Sequence, residues 1–334
     1  MSRGNDWALI QAQFANLERL PRGGFRNAII NGGFDVWQRG TSFPITPTRY
    51  SYTADRWEAL SWTGSTTTVS RQPFTAGIAS TIGTEAQYFL RYTTTDTVNG
   101  HIITQKIENV RTFAGKTISL SFWARISTGS AVVNSNFIQM FGSGGSSSVY
   151  TDVTFTSSSI NTSWKKFTGT VTLPSVSGKT IGENSLVQLE IKLPSGNNTF
   201  ELWGVQVEPG SIATPFEQRP IGTELSLCQR YYYKSPYVVS PYVLFNTGNV
   251  MSGTFTFPVT MRIAPVTITY FDALNTLNRI SIANAGGTAQ NNITPPSTLN
   301  IFPDGWNFGA GGIGGTTGNN GNIMLGSFEA IAEL

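Results

Sequence analysis

Short runs of alternating apolar and polar residues, separated by turns rich in glycine and serine, fill residues 25–221. In residues 119–127, Leu120, Phe122 and Ala124 occupy one face of a predicted strand, since side chains in a strand alternate between its two faces. Similar patterns predict further strands at 164–174, 185–194 and 200–208. Many short strands with no interleaved helical pattern predict an antiparallel β-sandwich, specifically a jelly roll.

The pattern changes after the predicted jelly roll. Residues 222–236 favour one or two helical turns and are predicted to form a hinge. Residues 253–271 then show the clearest alternation in the chain, which places Phe255 and Ile263 on the same face of a strand. We therefore predict a second, smaller β-sandwich domain at residues 237–334.

Residues 1–24 contain the one convincing helical pattern. Their apolar residues follow the alternating three- and four-residue steps of a coiled-coil seam, namely Trp7, Ile10, Phe14 and Leu17. Two interpretations are open: the helix packs on its own domain, or it serves docking or oligomerisation. Two heptads are too short to hold chains together alone, so an oligomer needs further contacts elsewhere.

The composition excludes several classes of partner. Charged residues make up only 12% of the 334 residues, the net charge is +3, and no run of Lys and Arg occurs, so we expect no nucleic-acid partner. Cys228 is the only cysteine, which excludes an intramolecular disulfide. The first residues lack a signal-peptide core, and no stretch has the length and apolarity of a membrane span. We expect synthesis in a reducing cytoplasm and no membrane insertion.

Residues suited to catalysis are scarce. His101 is the only histidine, which removes most metal-binding and general-base arrangements. Two carboxylates are enough for a glycosidase, but the acidic residues form no recognisable catalytic pair. We therefore expect no enzymatic activity and assign no catalytic residue.

Exposed aromatic residues offer another function, because pyranose rings stack on them while amides and carboxylates bind the sugar hydroxyls. Polar, loop-like surroundings favour exposure, and hence a glycan-binding role, for Trp62, Tyr150 and Trp164. Other tryptophans lie in strand-like runs and are predicted to be core residues, namely Trp37, Trp57, Trp123 and Trp203.

Five motifs carry a resemblance to a known family. They are NGGFDVWQRG at 31–40, ADRW at 54–57, LSFWAR at 120–125, LWGVQVEPGSIATPFEQRP at 202–220 and LCQRYYYKS at 227–235. Together they resemble bacteriophage tail-fibre and virion proteins, whose sandwich is similar to jelly-roll carbohydrate-binding modules. The resemblance implies a homotrimeric virion component, with other virion proteins of the tail or capsid and host cell-surface polysaccharide as partners.

The same resemblance bears on metal binding. In jelly-roll carbohydrate-binding modules, an acid in the opening motif and paired aspartates in the closing strand commonly bind a structural calcium. Asp35 matches the opening acid, whereas Trp203, Gly204 and Val205 stand where the aspartates would be. We expect no cofactor, with calcium at Asp35 as the alternative.

The leading prediction is therefore a non-enzymatic tail fibre or receptor-binding protein that contacts host surface glycan. One alternative is a capsid decoration or head-fibre protein without a receptor role. A polysaccharide depolymerase is the more distant alternative.

Overall fold

The computed structural model describes residues 24–62, 66–96, 101–194, 199–236, 238–239, 250–266, 268–272, 274–283, 289–293, 298–311 and 323–334. Two compact units emerge, residues 1–224 with Leu334 and residues 225–333. The predicted seam of Trp7, Ile10, Phe14 and Leu17 lies outside the described residues. Strands dominate the described part of the chain, which confirms the predicted all-β class.

The strands of the first unit begin soon after residues 27–40, which are called the opening motif. In chain order they are β1 (Ser42–Pro44), β2 (Ser51–Tyr52), β3 (Glu58–Leu60), β4 (Thr67–Pro73), β5 (Tyr88–Thr94), β6 (His101–Glu108), β7 (Thr117–Ile126), β8 (Ala131–Val132), β9 (Asn134–Met140), β10 (Val149–Asp152), β11 (Thr154–Phe155), β12 (Ser159–Ile160), β13 (Lys165–Thr172), β14 (Leu186–Leu193) and β15 (Thr199–Pro209). A short helix, α1 (Ala79–Ile82), lies between β4 and β5.

Two antiparallel sheets form the sandwich. The seven-stranded sheet has the order β1-β4-β5-β15-β7-β13-β11, and the six-stranded sheet has the order β10-β9-β14-β6-β3-β2. The short strands β8 and β12 pair separately. Strand β15 is buried on both faces and lies in the middle of the seven-stranded sheet.

The core lies between these sheets and follows the alternation of the sequence. Phe122 of β7 is fully buried and stacks on Phe167 of β13, with ring centroids 5.4 Å apart. From the six-stranded sheet, Val187, Leu189 and Ile191 of β14 enter the same cluster. A fully buried side chain of this size contributes about 1.5–3 kcal/mol relative to an exposed one, so this cluster supplies the main stabilisation of the unit.

The opening motif stands at the start of the jelly-roll sequence and was therefore predicted to be its first strand; that prediction is wrong, because the motif forms turns. Asn31 and Phe34 have φ values of 57° and 59°, a left-handed conformation that interrupts any strand. The Asn31 side chain holds the turn, because Nδ2 donates to the Val36 carbonyl (2.8 Å) and Oδ1 accepts from the Val36 N–H (3.0 Å). The buried Trp57 indole donates to the Asn31 carbonyl (3.0 Å).

The segment leading into this turn runs alongside β15. The Ala28 N–H donates to the Val207 carbonyl (2.8 Å), and the Val205 N–H donates to the Gly32 carbonyl (3.0 Å). The Asn27 side chain adds a donor to the Val205 carbonyl (3.0 Å) and an acceptor for the Val207 N–H (3.0 Å). A Cβ atom on Gly32 would lie 2.1 Å from the Val205 carbonyl oxygen, so only glycine fits this contact.

Side chains of residues 202–220, which are called the closing motif, also bind the segment that leads into the opening motif. The Glu217 carboxylate accepts the N–H groups of Arg26 (3.1 Å) and Asn27 (2.9 Å), which lie 191 and 190 residues away in sequence. Arg219 donates to the Ile29 carbonyl (3.0 Å). The opening and closing motifs thus form one local structure.

The second unit is smaller and also built from antiparallel strands. Helix α2 (Ile221–Gln229) spans the boundary, and the strands that follow are β16 (Tyr232–Lys234), β17 (Val238–Val239), β18 (Val250–Thr256), β19 (Ile268–Phe271), β20 (Ile280–Ala283), β21 (Ala289–Ile293), β22 (Thr298–Phe302), β23 (Gly305–Gly311) and β24 (Ile323–Ile331). Strand β24 pairs with β16, β17, β19 and β20, and β20 also pairs with β21, whereas β18, β23 and β22 form a separate sheet.

The core of the second unit is aromatic. Trp306 is buried and stacks on Phe255, with ring centroids 4.4 Å apart, and Phe328 packs on both rings. Cys228 of α2 is buried. Neither helix in the described part of the chain is both long and apolar enough to cross a membrane.

Candidate functional site

A row of polar side chains crosses the outer face of the six-stranded sheet. Core residues of this sheet, such as Leu189, alternate along each strand with residues that face outward. Read across the sheet by strand register, the outward residues are Asp152, Asn136, Glu190, Thr104 and Glu58. These five residues are called the polar row.

Glu190 is held in the middle of the polar row by two donors. The Gln188 amide donates to Glu190 Oε1 (3.0 Å), and the Tyr50 hydroxyl approaches the same oxygen at 3.5 Å. Burial, followed by the negative charge of Glu190, raises the pKa of Tyr50, so this hydroxyl stays protonated and keeps its proton to donate. At the other end of the row, Glu58 pairs with Lys106 (2.9 Å).

Asn136 has incomplete hydrogen bonding. Its side chain is 1% exposed, and neither Oδ1 nor Nδ2 has a hydrogen-bond partner among the described residues. A buried polar group without a partner costs about 1–3 kcal/mol. A ligand hydroxyl or a bound water that reached this amide would relieve that cost, with Asp152 and Glu190 on the neighbouring strands as further acceptors.

Tyr150 lies on the same outer face, on the edge strand β10. It is 70% exposed, opposite Ile138 of β9, which in turn is opposite Gln188 of β14. An exposed phenol ring therefore lies directly beside the polar row. Such a ring combines an apolar stacking surface with a hydroxyl that can form hydrogen bonds.

Trp62 is exposed too, but at a distance from Tyr150. It is 41% exposed and follows the end of β3. Four strand spacings separate β3 from β10, which amounts to about 19 Å. The two exposed aromatic residues therefore lie toward opposite edges of one sheet and do not form a single cluster.

Trp164 differs from the other two predicted glycan-binding residues. It immediately precedes β13 of the seven-stranded sheet and is half-buried. Its ring packs against Phe74 (centroids 5.2 Å apart) and Phe89 (5.3 Å), and the Arg125 guanidinium lies 5.1 Å from the ring centroid. The structure therefore does not bring Trp164 together with Tyr150 and Trp62.

Three of the four tryptophans that were predicted to be core residues are buried, and one is not. Trp37, Trp57 and Trp203 are buried, whereas Trp123 is half-buried on the outer face of the seven-stranded sheet. The prediction that Trp123 is a core residue is therefore wrong. Its position in the alternation of β7, between the core residues Phe122 and Ala124, was the signal that it faces outward.

Asp35, the candidate calcium ligand, is exposed. Neighbouring protein atoms nevertheless displace part of its water, and this desolvation, followed by the charge of Glu224, raises the pKa of Asp35 to about 6. Within the described ranges, no three His, Cys, Asp or Glu side chains are grouped so that they could hold a metal ion. Calcium at Asp35 would need most of its oxygen ligands from backbone carbonyls and water.

His101 lies inside the fold. It is 2% exposed, its Nε2 is 3.3 Å from the Asp96 carbonyl oxygen, and its ring packs on Tyr92 with centroids 5.3 Å apart. Burial lowers the pKa of His101, which favours the neutral ring at pH 7. These surroundings indicate that His101 has a packing role.

Comparison with known proteins identifies no relative by sequence. No protein-family model matches the chain, and no curated protein matches it. Among solved structures, the CBM22-1 xylan-binding domain of Paenibacillus barcinonensis Xyn10C is similar at 14% identity and a TM-score of 0.32, covering 53% of this chain and 96% of that one. A family 4 carbohydrate-binding module is 20% identical, with a TM-score of 0.31, covering 54% and 98%.

A phage protein is also among the structural matches. The enzymatically active domain of tailspike protein 4 of bacteriophage CBA120 is 11% identical with a TM-score of 0.31, and the match covers 55% of this chain but only 21% of that one. Similarities this weak carry no argument about ligands or activity. The chain is thus an antiparallel, nearly all-β protein whose structural neighbours include carbohydrate-binding jelly rolls.

Proposed function

We propose that this chain is a non-enzymatic bacteriophage virion component, a tail fibre or receptor-binding protein that binds host surface glycan through the outer face of the six-stranded sheet. The observation that carries the proposal is the juxtaposition of Tyr150, 70% exposed, with the oriented carboxylate of Glu190 and with the amide of Asn136, which has no hydrogen-bond partner among the described residues.

The chemistry of this face suits a sugar. A pyranose has an apolar face that stacks on a ring such as that of Tyr150, and hydroxyls at its rim that both donate and accept hydrogen bonds. The Asn136 amide supplies one donor group and one acceptor, and the Glu190 and Asp152 carboxylates supply acceptors. Within the polar row only Asp152 is exposed, whereas Asn136, Glu190, Thr104 and Glu58 are buried, so a sugar reaches the row at its Asp152 end, beside Tyr150.

The virion assignment rests on the five motifs that resemble phage tail-fibre and virion proteins. The proposed homotrimer rests on that resemblance and on the seam of Trp7, Ile10, Phe14 and Leu17. The absence of enzymatic activity is proposed from the surroundings of the groups best suited to chemistry, since His101 is packed in the interior and Glu58 is ion-paired with Lys106.

Binding to host cells and to their purified surface polysaccharide tests the proposal. Tyr150→Ala should weaken binding of the polysaccharide by about tenfold, because the loss of stacking on one aromatic ring costs on the order of 1–2 kcal/mol of binding free energy. Phe302→Ala is a matched control, since Phe302 is an exposed aromatic residue (46%) in the second unit. Wild-type protein that neither binds the cells nor competes with infection would refute the receptor role.

Two further measurements separate the alternatives. A reducing-end assay on the polysaccharide should remain flat, and accumulating fragments would favour a depolymerase. Light scattering should give a trimer mass for the full chain, whereas a monomer both with and without residues 1–24 would remove the trimer.

A further inference from the structure

The outer face of the seven-stranded sheet carries a second group of polar and aromatic residues. Glu201 of β15 is opposite Arg125 of β7 on one side and Arg91 of β5 on the other. Trp123 lies two residues before Arg125 on the same face, and Trp164 packs on the Arg125 guanidinium. These five residues are called the arginine–indole face.

Glu201 orients the two arginines, and both of its carboxylate oxygens accept hydrogen bonds from them. It is 4% exposed; Arg91 Nε donates to its Oε1 (2.7 Å), and Arg125 Nε donates to its Oε2. Arg91 also donates to Gln72 Oε1 (3.3 Å). The three charged groups sum to one positive charge, and both carboxylate oxygens already have donors.

Arg125 keeps unused donors at its outer end. Its side chain is 35% exposed, and among the residues that the structure describes its two terminal amino groups have no hydrogen-bond partner. The bond to Glu201 and the contact with Trp164, 5.1 Å from the ring centroid, hold the guanidinium in one orientation. Little side-chain entropy is therefore lost when a ligand binds there.

The two half-buried indoles add donors of their own. In the described part of the chain, neither Trp123 Nε1 nor Trp164 Nε1 has an acceptor. Lys166 lies beside Trp123 on β13, where its Nζ donates to the Thr214 carbonyl (3.1 Å). The arginine–indole face thus offers several donors and no unused acceptor, which is the complement of an anion.

Buried rings next to the arginine–indole face form a second core, and Trp123 and Trp164 pack against that core while remaining half-buried. Trp203 (1% exposed) and Phe89 (4%) form a small second core with Ile82 of α1. Trp123 is only half-buried, although it lies directly opposite Trp203. Packing therefore explains the buried rings and leaves the exposed part of Trp123 available to a ligand.

We propose that the arginine–indole face binds a hexuronic acid residue of an acidic polysaccharide, with the sugar ring stacked on Trp123 and its carboxylate on Arg125. Residues i and i+2 of a strand are about 6.6–6.8 Å apart, which leaves room for the half-width of a stacked pyranose with its exocyclic carboxylate plus a hydrogen bond of about 2.9 Å to Arg125. This site goes beyond the proposed function, since it lies on the opposite sheet of the sandwich from the polar row.

Calorimetric titration of the full chain tests this assignment, with an oligogalacturonate, a neutral galactose oligosaccharide of equal length and inorganic phosphate as ligands. The oligogalacturonate should bind at least about tenfold more tightly than either of the others, since charge-assisted hydrogen bonds add roughly 1.5–3 kcal/mol. Equal binding of the neutral oligosaccharide would overturn the role of the charge. Equal binding of phosphate would overturn the assignment to a uronic acid, since the site would then bind anions in general.

Variants locate the site. Arg125→Gln should weaken oligogalacturonate binding about tenfold or more, and Arg125→Lys, which keeps the charge but loses the planar fork, should weaken it several-fold. Trp123→Ala should weaken binding, with partial recovery in Trp123→Phe. Arg111→Gln removes an equal charge at an exposed turn and serves as control. Thermal unfolding of each variant confirms that it is folded.

The outcome also distinguishes the two binding faces. Oligogalacturonate binding that falls with Tyr150→Ala and is unchanged in Arg125→Gln and Trp123→Ala would overturn this inference while leaving the proposed function intact. Binding that depends on Arg125 and Trp123 supports the inference even where host polysaccharide does not bind at the polar row.

Discussion

Replacement of Gly32 by alanine should destabilise the first unit through one contact. The added Cβ atom would lie 2.1 Å from the Val205 carbonyl oxygen, so the two backbone segments must move apart by roughly 1 Å or more. That movement weakens the hydrogen bond from the Val205 N–H to the Gly32 carbonyl (3.0 Å), worth about 0.5–1.5 kcal/mol. Overpacking adds about 1–3 kcal/mol. Together, the weakened hydrogen bond and the overpacking should lower the free energy of unfolding of the first unit by roughly 2–4 kcal/mol.

Differential scanning calorimetry measures this loss. For a unit of this size, 1 kcal/mol shifts the melting temperature by about 2–4 °C, so the transition of the first unit should fall by at least about 4 °C. Gly222→Ala is the matched control, because nothing lies within 4 Å of its added Cβ atom. A Gly32→Ala variant that melts within 1 °C or so of the wild type would show that the close approach of the opening motif to β15 does not exist.

Three further changes have defined outcomes. Because the pKa of Asp35 in the folded state is about 6, above its ordinary 3.8, the wild type loses stability as the pH rises through that interval and the carboxylate ionises. Asp35→Asn should therefore melt higher than the wild type at pH 7.5 and equally at pH 4; a lower melting temperature at both would contradict this. Phe122→Ala empties a fully buried site and should cost about 3–5 kcal/mol in urea unfolding, against less than about 0.5 kcal/mol for Tyr150→Ala. Glu201→Gln leaves two guanidinium groups facing each other and should cost about 1–3 kcal/mol, increasingly at low salt; unchanged stability would show that the pairing is weak.

The alternation of apolar and polar residues predicted the strands of the sandwich, because a strand that is buried on one face needs an apolar residue at every second position. Leu120, Phe122 and Ala124 are all fully buried, as their spacing requires. The same rule failed at the start of the second unit, where one long strand was expected. Strand β18 ends at Thr256, before Pro258, and Ile263 is 36% exposed. A proline has no N–H for the sheet, and this local effect outweighed the pattern.

The functional faces were less accessible to sequence reasoning. Local context predicted exposure for Tyr150 and Trp62 correctly, but exposure of a single side chain does not show which others lie beside it. Glu201, Arg91 and Arg125 come together because β15 lies between β5 and β7, which are distant in the chain. Such pairings depend on strand order, and neither periodicity nor motif spacing in one sequence determines strand order.

The position of β15 has a consequence for synthesis. Strand β15 is the last strand of the first unit and the middle strand of its larger sheet, between β5 and β7. Until residues 199–209 leave the ribosome, β5 and β7 are two open sheet edges, and each exposes unpaired N–H and C=O groups. The sheet closes only when the end of the unit arrives, so its assembly is governed by contacts of long sequence separation and should be slow. Chains that stop before residue 199 should therefore aggregate, with the two open edges as the site of association.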